Sequence, residues 1–159
     1  MPPANNIAYT APINPPGETP LSHDQVWAGL ILKISSAETF VSGAISKTDV
    51  LSESVDPSTG NTVIVRDVVF RESGKKVQET VTAYEPTRVE FEQVGGNISN
   101  VISEGGNGEL YLTYIFEWKH PEASKKEMGE FLAKEKNMAK SAVEGTLKVL
   151  RQLVADQKL

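Results

Sequence analysis

The chain has 159 residues, of which 39% are hydrophobic and 23% charged, with a formal net charge of −5 at pH 7; these values are typical of a single globular domain spanning residues 1–159. The negative charge, without any basic cluster, argues against a nucleic-acid partner, and the absence of cysteine excludes disulfides and thiolate chemistry. Because there is neither a signal-peptide pattern nor an apolar run of about 18 residues, we expect a cytoplasmic protein without a membrane span.

The first part of the chain predicts one strand followed by two helices. Residues 4–14 form the predicted strand, which a Pro/Gly segment ends. Ser22 and Gln25 make a capping-box pattern that begins the first helix. Ser36 is the predicted start of a second, short helix that ends at Gly43. One face of the first helix is marked by Val26, Trp27, Leu30, Ile31 and Ile34.

Six strand-like runs and one long helix make up the rest of the chain. The runs are residues 45–55, 62–71, 76–84, 88–94, 97–103 and 109–119. Short separators rich in Gly, Pro and Ser join them, so neighbouring strands are predicted to be antiparallel. From residue 124 to about residue 155 the pattern predicts a helix about 48 Å long. We therefore predict an α+β fold, a seven-stranded antiparallel sheet with its helices on one face.

This order of elements resembles the helix-grip fold of the SRPBCC superfamily, which includes START domains, polyketide cyclases and birch-pollen-allergen-like proteins. Two segments, Ile64-Val-Arg-Asp-Val-Val-Phe70 and Leu112-Thr-Tyr-Ile-Phe-Glu-Trp-Lys-His-Pro121, are similar to a mostly fungal branch long labelled a domain of unknown function. The resemblance implies a curved sheet wrapped around the long C-terminal helix, with a deep cavity for a lipid, sterol or polyketide. Some members of that branch accompany polyketide synthases in secondary-metabolite clusters. The resemblance carries over no catalytic residue.

Hairpin parity predicts the side chains that face the cavity. A two-residue turn at Ser73-Gly74 places Arg66 and Glu79 diagonally on the covered faces of neighbouring strands. A three-residue turn at residues 85–87 keeps two glutamates of the next strand outside. Asn100 lies on a strand whose two faces are less clearly distinguished. The predicted ligand-binding residues are Phe70, Phe91, Asn100, Leu112, Tyr114 and Phe116 on the sheet, with Ala139 and Ala142 on the long helix.

Three charged residues are the catalytic candidates. Arg66 and Glu79 form a predicted buried pair that either holds a ligand oxyanion, since a guanidinium binds one at two points, or satisfies itself as a structural ion pair. Glu135 interrupts the apolar stripe of the long helix. It is either a general base whose pKa is raised by burial, or a glutamate that snorkels to solvent or pairs with a lysine such as Lys134 or Lys140.

The function that these patterns favour is that of a cavity protein for a hydrophobic, polyketide-like molecule. If it is an enzyme, the expected chemistry is a cofactor-free cyclisation, dehydration or release through an enol. The alternatives are a non-catalytic binding or transport protein for a lipid-like ligand, and an interaction domain with a solid core. His23 and His120 are both expected to be exposed, and no metal site is predicted. We expect a monomer or a homodimer.

Overall fold

The structure, a computed structural model, describes residues 3–159 and consists there of seven strands and three helices. In chain order they are β1 (Ala4–Pro12), α1 (His23–Ser35), α2 (Ala37–Phe40), β2 (Ile45–Val55), β3 (Thr62–Phe70), β4 (Lys76–Tyr84), β5 (Arg88–Gln93), β6 (Gly96–Glu104), β7 (Leu110–Lys119) and α3 (Lys125–Ala155). The predicted α+β class and element order are therefore confirmed, with strand bounds that agree to within two residues.

The strands form one antiparallel sheet in the order β1-β7-β6-β5-β4-β3-β2. Consecutive hairpins build it from β2 to β7, and β1 then joins at the β7 edge. The edge strand β2 carries two register shifts, which bend a strand away from its neighbour. The curved sheet wraps around α3, which packs mainly on β1 and β7. Within residues 3–159 no helix combines the length and hydropathy that a membrane span requires.

The turn between β3 and β4 is longer than the predicted two residues. The N–H group of Phe70 donates to the carbonyl of Lys75, and Arg66 lies directly opposite Glu79. The prediction had placed Arg66 opposite Val81 and was wrong by two residues. Because side chains alternate with a period of two, every residue of the hairpin keeps its predicted face. The two charged side chains therefore meet directly across the pair of strands.

Other predicted features of the sheet are confirmed. Tyr84 pairs with Arg88, as the three-residue turn at residues 85–87 requires. Phe91 is 3% exposed on the covered face. On β6, Gly96, Asn100 and Ile102 are the buried members, which settles which face of that strand points inward.

Helix α1 packs against α3 and turns one face toward the sheet. Gly29 permits this approach, because a Cβ atom there would lie 1.9 Å from Cδ2 of the buried Leu150. Ile31 was predicted to face inward but is 40% exposed. The inward position is occupied instead by Lys33, which is 8% exposed. A lysine amine is therefore held inside the fold.

Candidate functional site

A cavity of about 560 Å³ lies between the concave face of the sheet and α3. Most of its walls are apolar, formed by Val68, Phe70, Phe91, Ile98, Phe116 and Trp118 on the sheet and by Ala139 and Ala142 on the helix. The exposed parts of the lining are residues 42–44 and, on α3, Lys134, Asn137, Met138 and Ser141, so the cavity opens between that segment and the helix. Small-molecule sites usually measure about 300–1,000 Å³, and the interior is therefore not the solid core of the third alternative.

Most of the predicted site residues border this cavity. Those that line it are Arg66, Glu79, Glu135, Phe70, Phe91, Tyr114, Phe116, Ala139 and Ala142. Leu112 and Asn100 differ from the prediction, because neither forms part of the lining. Leu112 is fully buried in the hydrophobic core. Asn100 is also fully buried and contacts the lining through Lys33.

Arg66 and Glu79 form a buried ion pair on the sheet side of the cavity. Arg66 donates from Nε and Nη2 to Oε1 of Glu79, at 3.0 and 2.7 Å. Its Nη1 donates to the main-chain carbonyls of Lys33 and Ile34, at 2.9 and 2.7 Å. These carbonyls belong to the last turn of α1, where carbonyl groups have no partner within the helix. Gln93 donates to Oε2 of Glu79 at 2.8 Å.

The protein itself therefore uses most of the hydrogen-bonding capacity of this pair. A guanidinium has five N–H groups, and four of them in Arg66 are directed at protein oxygens. Both oxygens of Glu79 also have donors. Of the two interpretations that the sequence left open, these contacts favour the structural one. Arg66 connects the end of α1 to β3, the strand next to the β2 edge of the sheet.

Lys33 is a functional candidate that sequence reasoning missed. Its Nζ donates to Oδ1 of Asn100 at 2.8 Å and to Oη of Tyr114 at 3.3 Å. The same atom lies 4.4 Å from the ring centroid of Tyr114 and 5.3 Å from that of Phe91. In the described part of the chain, no carboxylate lies within 4.0 Å of this amine. Lys33 is one of the residues that line the cavity.

The surroundings of Lys33 favour its neutral form. Burial, helped by the nearby Arg66 charge and partly opposed by Glu79, lowers the pKa of the Lys33 amine to about 7. A lysine with this pKa is about half neutral at pH 7, whereas an ordinary lysine with a pKa of about 10.4 is almost entirely protonated. The cavity wall therefore carries an amine with an available lone pair.

The hydrogen bonds around Lys33 have a defined direction. Thr146 donates its hydroxyl proton to the carbonyl of Ala142 at 2.7 Å, so its oxygen accepts from Tyr114, also at 2.7 Å. Oη of Tyr114 is then the acceptor for Lys33. Burial raises the pKa of Tyr114 well above its usual value, against the opposing effect of the Thr146 hydrogen bond, so the phenol stays protonated. Nδ2 of Asn100 has no acceptor among residues 3–159.

Glu135 belongs to a second polar cluster, with partners that were not predicted. Asn5 on β1 donates to its Oε1 at 2.7 Å, and Nε2 of His120 lies 3.0 Å from its Oε2. The prediction of Lys134 or Lys140 as its partner was wrong. His120 was predicted to be exposed but is half-buried, with its ring stacked on Phe131 at 4.3 Å between centroids. The cluster joins β1, the end of β7 and α3.

His23 is also half-buried rather than exposed, and its Nε2 lies 2.7 Å from the carbonyl oxygen of Pro86. Within the described range no group of three or more His, Cys, Asp and Glu side chains is placed to hold a metal ion.

The two polar clusters lie toward opposite ends of the cavity. Tyr114, Phe116 and Trp118 follow one another on the inner face of β7, and their rings are 6.2 and 5.9 Å apart in turn. Lys33 contacts the Tyr114 end. Asn5, which binds Glu135, pairs with Trp118 at the other end. At about 3.3 Å per residue, the two ends are roughly 13 Å apart along the strand.

The sequence contained a signal for Lys33. Val26, Leu30 and Lys33 follow the i, i+4, i+7 spacing of one helical face. Ile31 was assigned to that face because of its hydrophobicity, although its position lies beside it. A lysine at an inward position is informative, because buried charged residues are rare without a partner. The Asn5 and His120 contacts left no such signal, since they join segments distant in sequence.

A curved antiparallel sheet around a long helix, with an apolar cavity between them, defines a helix-grip protein of the SRPBCC type. More particularly, residues 7–157 match the family described as "AtaL: Acetylaranotin biosynthesis cluster protein L", and the chain belongs to that family. The comparison with curated proteins found no match.

Two solved structures show the same fold. Ara h 8.0201 superposes with a TM-score of 0.57 at 10% sequence identity, covering 97% of this chain and 99% of that one. StfQ, a di-domain ARO/CYC from the steffimycin biosynthetic pathway, superposes with a TM-score of 0.64 at 8% identity. That match covers 97% of this chain and 52% of StfQ, so the chain spans about half of the di-domain protein. At these identities the likeness establishes the fold alone.

The ion pair of Arg66 yields a prediction about stability. Arg66→Met is expected to lower the free energy of unfolding by about 3–5 kcal/mol, because Glu79 and two carbonyls of α1 lose their buried donor. The matched control is Arg88→Met, since Arg88 pairs with Glu90 at 3.1 Å with side chains 43% and 30% exposed. That change is expected to cost about 1 kcal/mol or less. Urea unfolding measures both, and equal losses would contradict the structural role.

Lys33 yields a prediction about pH dependence. Its pKa is about 7 in the folded protein and about 10.4 in an unfolded chain. Between these values the unfolded state binds more protons, so Lys33 makes stability rise with pH, by up to about 1.4 kcal/mol per unit. Lys33→Met is expected to lack this rise when urea unfolding is compared from pH 7 to pH 10. Lys134→Met, at an exposed lysine, is expected to retain it, and parallel curves for wild type and Lys33→Met would refute the assignment.

Proposed function

We propose that the chain binds an apolar, polyketide-like molecule in its cavity and promotes a cofactor-free cyclisation, dehydration or release through an enol. The observation that carries the proposal is the cavity of about 560 Å³ whose long walls are apolar and whose ends hold ionisable groups. Such a space accepts a carbon chain along its length and the oxygens of that chain at its ends. Membership of a family named for a biosynthesis cluster and the likeness to an ARO/CYC di-domain support this choice of ligand.

Glu135 is the proposed general base. Glu135 lines the cavity and is 9% exposed. Hydrogen bonds from Asn5 to one oxygen and from His120 to the other orient it. In this role it takes a proton from the carbon beside a ligand carbonyl, and the resulting enol or enolate attacks a second carbonyl of the same chain or expels a leaving group.

Arg66 and Glu79 are part of the cavity wall, and they contribute to the proposed chemistry mainly from that position. The guanidinium stabilises negative charge that develops on a ligand oxygen near the sheet, because a charge in a dry site acts strongly. Four protein contacts hold that guanidinium in place. We therefore assign Arg66 and Glu79 as positioning residues that keep the end of α1, and with it Lys33, against the cavity.

Non-catalytic binding or transport is the second candidate. The observation that favours it is the Arg66–Glu79 pair, whose hydrogen bonds are largely satisfied within the protein. In that case Lys33 and Glu135 would hold the polar ends of a ligand without changing it.

Filling the cavity is expected to weaken binding. Ala142 is a half-buried lining residue on α3, and Ala142→Phe places a ring in the space that the ligand would occupy. The affinity for the fluorescent probe 8-anilino-1-naphthalenesulfonate is expected to fall at least about tenfold, which corresponds to about 1.4 kcal/mol. Ala133→Phe, on the exposed side of the same helix, is the matched control and should bind as wild type does. Equal affinity in all three proteins would contradict the proposed site.

The variant Glu135→Gln distinguishes a catalytic role of the protein from non-catalytic binding or transport. The wild-type protein is expected to accelerate exchange of the methyl hydrogens of 2-acetylnaphthalene in D₂O, observed by NMR, because a general base exchanges the hydrogens beside a carbonyl. Glu135→Gln should lose about 10²–10⁴-fold of this rate while the probe affinity stays unchanged. Glu130→Gln, at an exposed position of α3, is the control. Probe binding without exchange in the wild-type protein would support the carrier instead.

A further inference from the structure

A buried amine without a carboxylate partner stands at one end of the cavity. Nζ of Lys33 contacts Asn100 and Tyr114, and Lys33 is one of the cavity-lining residues. A lysine kept inside a fold only for stability is normally paired with an acid. Here its two hydrogen-bond partners are neutral groups, the amide oxygen of Asn100 and the protonated phenol of Tyr114.

Hydrogen bonds to these two partners leave one position on the Lys33 nitrogen without a protein partner. A neutral amine has two N–H groups and one lone pair, and the two N–H groups are directed at Asn100 and Tyr114. The lone pair is then the part of the nitrogen without a protein partner. Since Lys33 lines the cavity together with Phe91 and Tyr114, a ligand inside can reach it.

We propose that Lys33 captures a ligand aldehyde or ketone as an imine, so that the cavity holds its substrate covalently at the Tyr114 end. The ligand class is a carbonyl compound with an apolar body that fits between the sheet and α3. This inference deepens the proposed function and rests on it, because the same cavity must admit the ligand.

The step balances without a cofactor. The lone pair of the amine forms a bond to the carbonyl carbon while the π electrons move to the oxygen, and a proton passes from nitrogen to that oxygen to give a carbinolamine. The C–O bond then breaks, the second N–H proton leaves with the oxygen as water, and a C=N bond remains. No oxidation or reduction takes place. An imine acidifies the carbon next to it, so this capture prepares the ligand for carbon–carbon bond formation.

The neighbouring groups suit this step. The hydroxyl of Tyr114 lies 3.3 Å from Nζ and is backed by Thr146 at 2.7 Å, so it is placed to exchange a proton with the carbinolamine oxygen. Nδ2 of Asn100, which has no acceptor in the described part of the chain, is a free donor beside the amine. Arg66 and Glu79 are the charged groups facing the amine from the sheet; Arg66 favours the neutral amine and Glu79 the protonated one.

Reductive trapping tests the proposal. The full chain is incubated at pH 7 with 2-naphthaldehyde and sodium cyanoborohydride, which reduces an imine to a stable secondary amine, and the modified lysine is located by peptide mass spectrometry. The neutral fraction of an amine with a pKa of about 7 exceeds that of an ordinary lysine roughly a thousandfold at this pH. Early labelling at Lys33 is therefore expected to exceed that at any other lysine by at least about tenfold.

Two variants and a competitor make the result specific. Lys33→Met keeps the aliphatic stem and should lose the early label. Lys140→Met removes an exposed amine of α3 that does not line the cavity and should leave the label at Lys33 unchanged. Excess 8-anilino-1-naphthalenesulfonate should slow the labelling of Lys33 but not that of exposed lysines. Peptide mapping of the wild-type protein decides the question even if Lys33→Met fails to fold.

The outcomes distinguish this inference from the function on which it rests. Probe binding with uniform labelling of exposed lysines would overturn the imine and leave the proposed cavity intact, with Lys33 as a hydrogen-bond donor only. Failure of the probe to bind, with no preference for Lys33, would overturn both. Preferential, probe-sensitive labelling of Lys33 would establish the covalent site.

Discussion

The ion pair between Arg66 and Glu79 is the interaction on which the site depends. Two strands can bury opposite charges side by side only if each charge is neutralised and its hydrogen bonds are satisfied. Here the remaining donors of Arg66 reach the last carbonyls of α1, so the buried guanidinium also holds the end of that helix against β3. Lys33 lies in the same turn. The pair thus sets the position of an amine that it contacts only through the main chain.

Much of the fold was predictable because it follows from local patterns. Period-two alternation identified the inner face of the sheet, and a capping box marked the beginning of α1 at Ser22. The turn between β3 and β4 shows that such a prediction can give the correct faces even when the register is wrong. An error of two residues left the faces correct, but it misplaced Arg66 relative to Glu79. Periodicity determines the direction of a side chain, whereas its partner depends on the loop.

The candidate site was predictable only in part. Nine of the eleven predicted residues line the cavity, because an inward position on the sheet or on α3 is enough to place a side chain there. The roles of the polar residues among them could not be predicted from the sequence. Glu135 takes its partners from β1 and from the residue after β7, and neither contact leaves a trace in the neighbouring sequence. Lys33 was missed because the more hydrophobic Ile31 was assigned to the inward face of α1.

The pairing of β1 with β7 has a consequence for the order in which the site is assembled. A ribosome releases β1 first, yet its pairing partners on β7 lie 99 to 115 positions later, and Asn5 meets Glu135 across 130 positions. Throughout most of synthesis the first strand therefore has unpaired backbone groups and no cavity to complete. Hairpins from β2 to β7 join neighbours in sequence and can pair as they emerge. The Glu135 end of the cavity forms only after α3 has emerged, so a nascent chain acquires its sheet before it acquires its site.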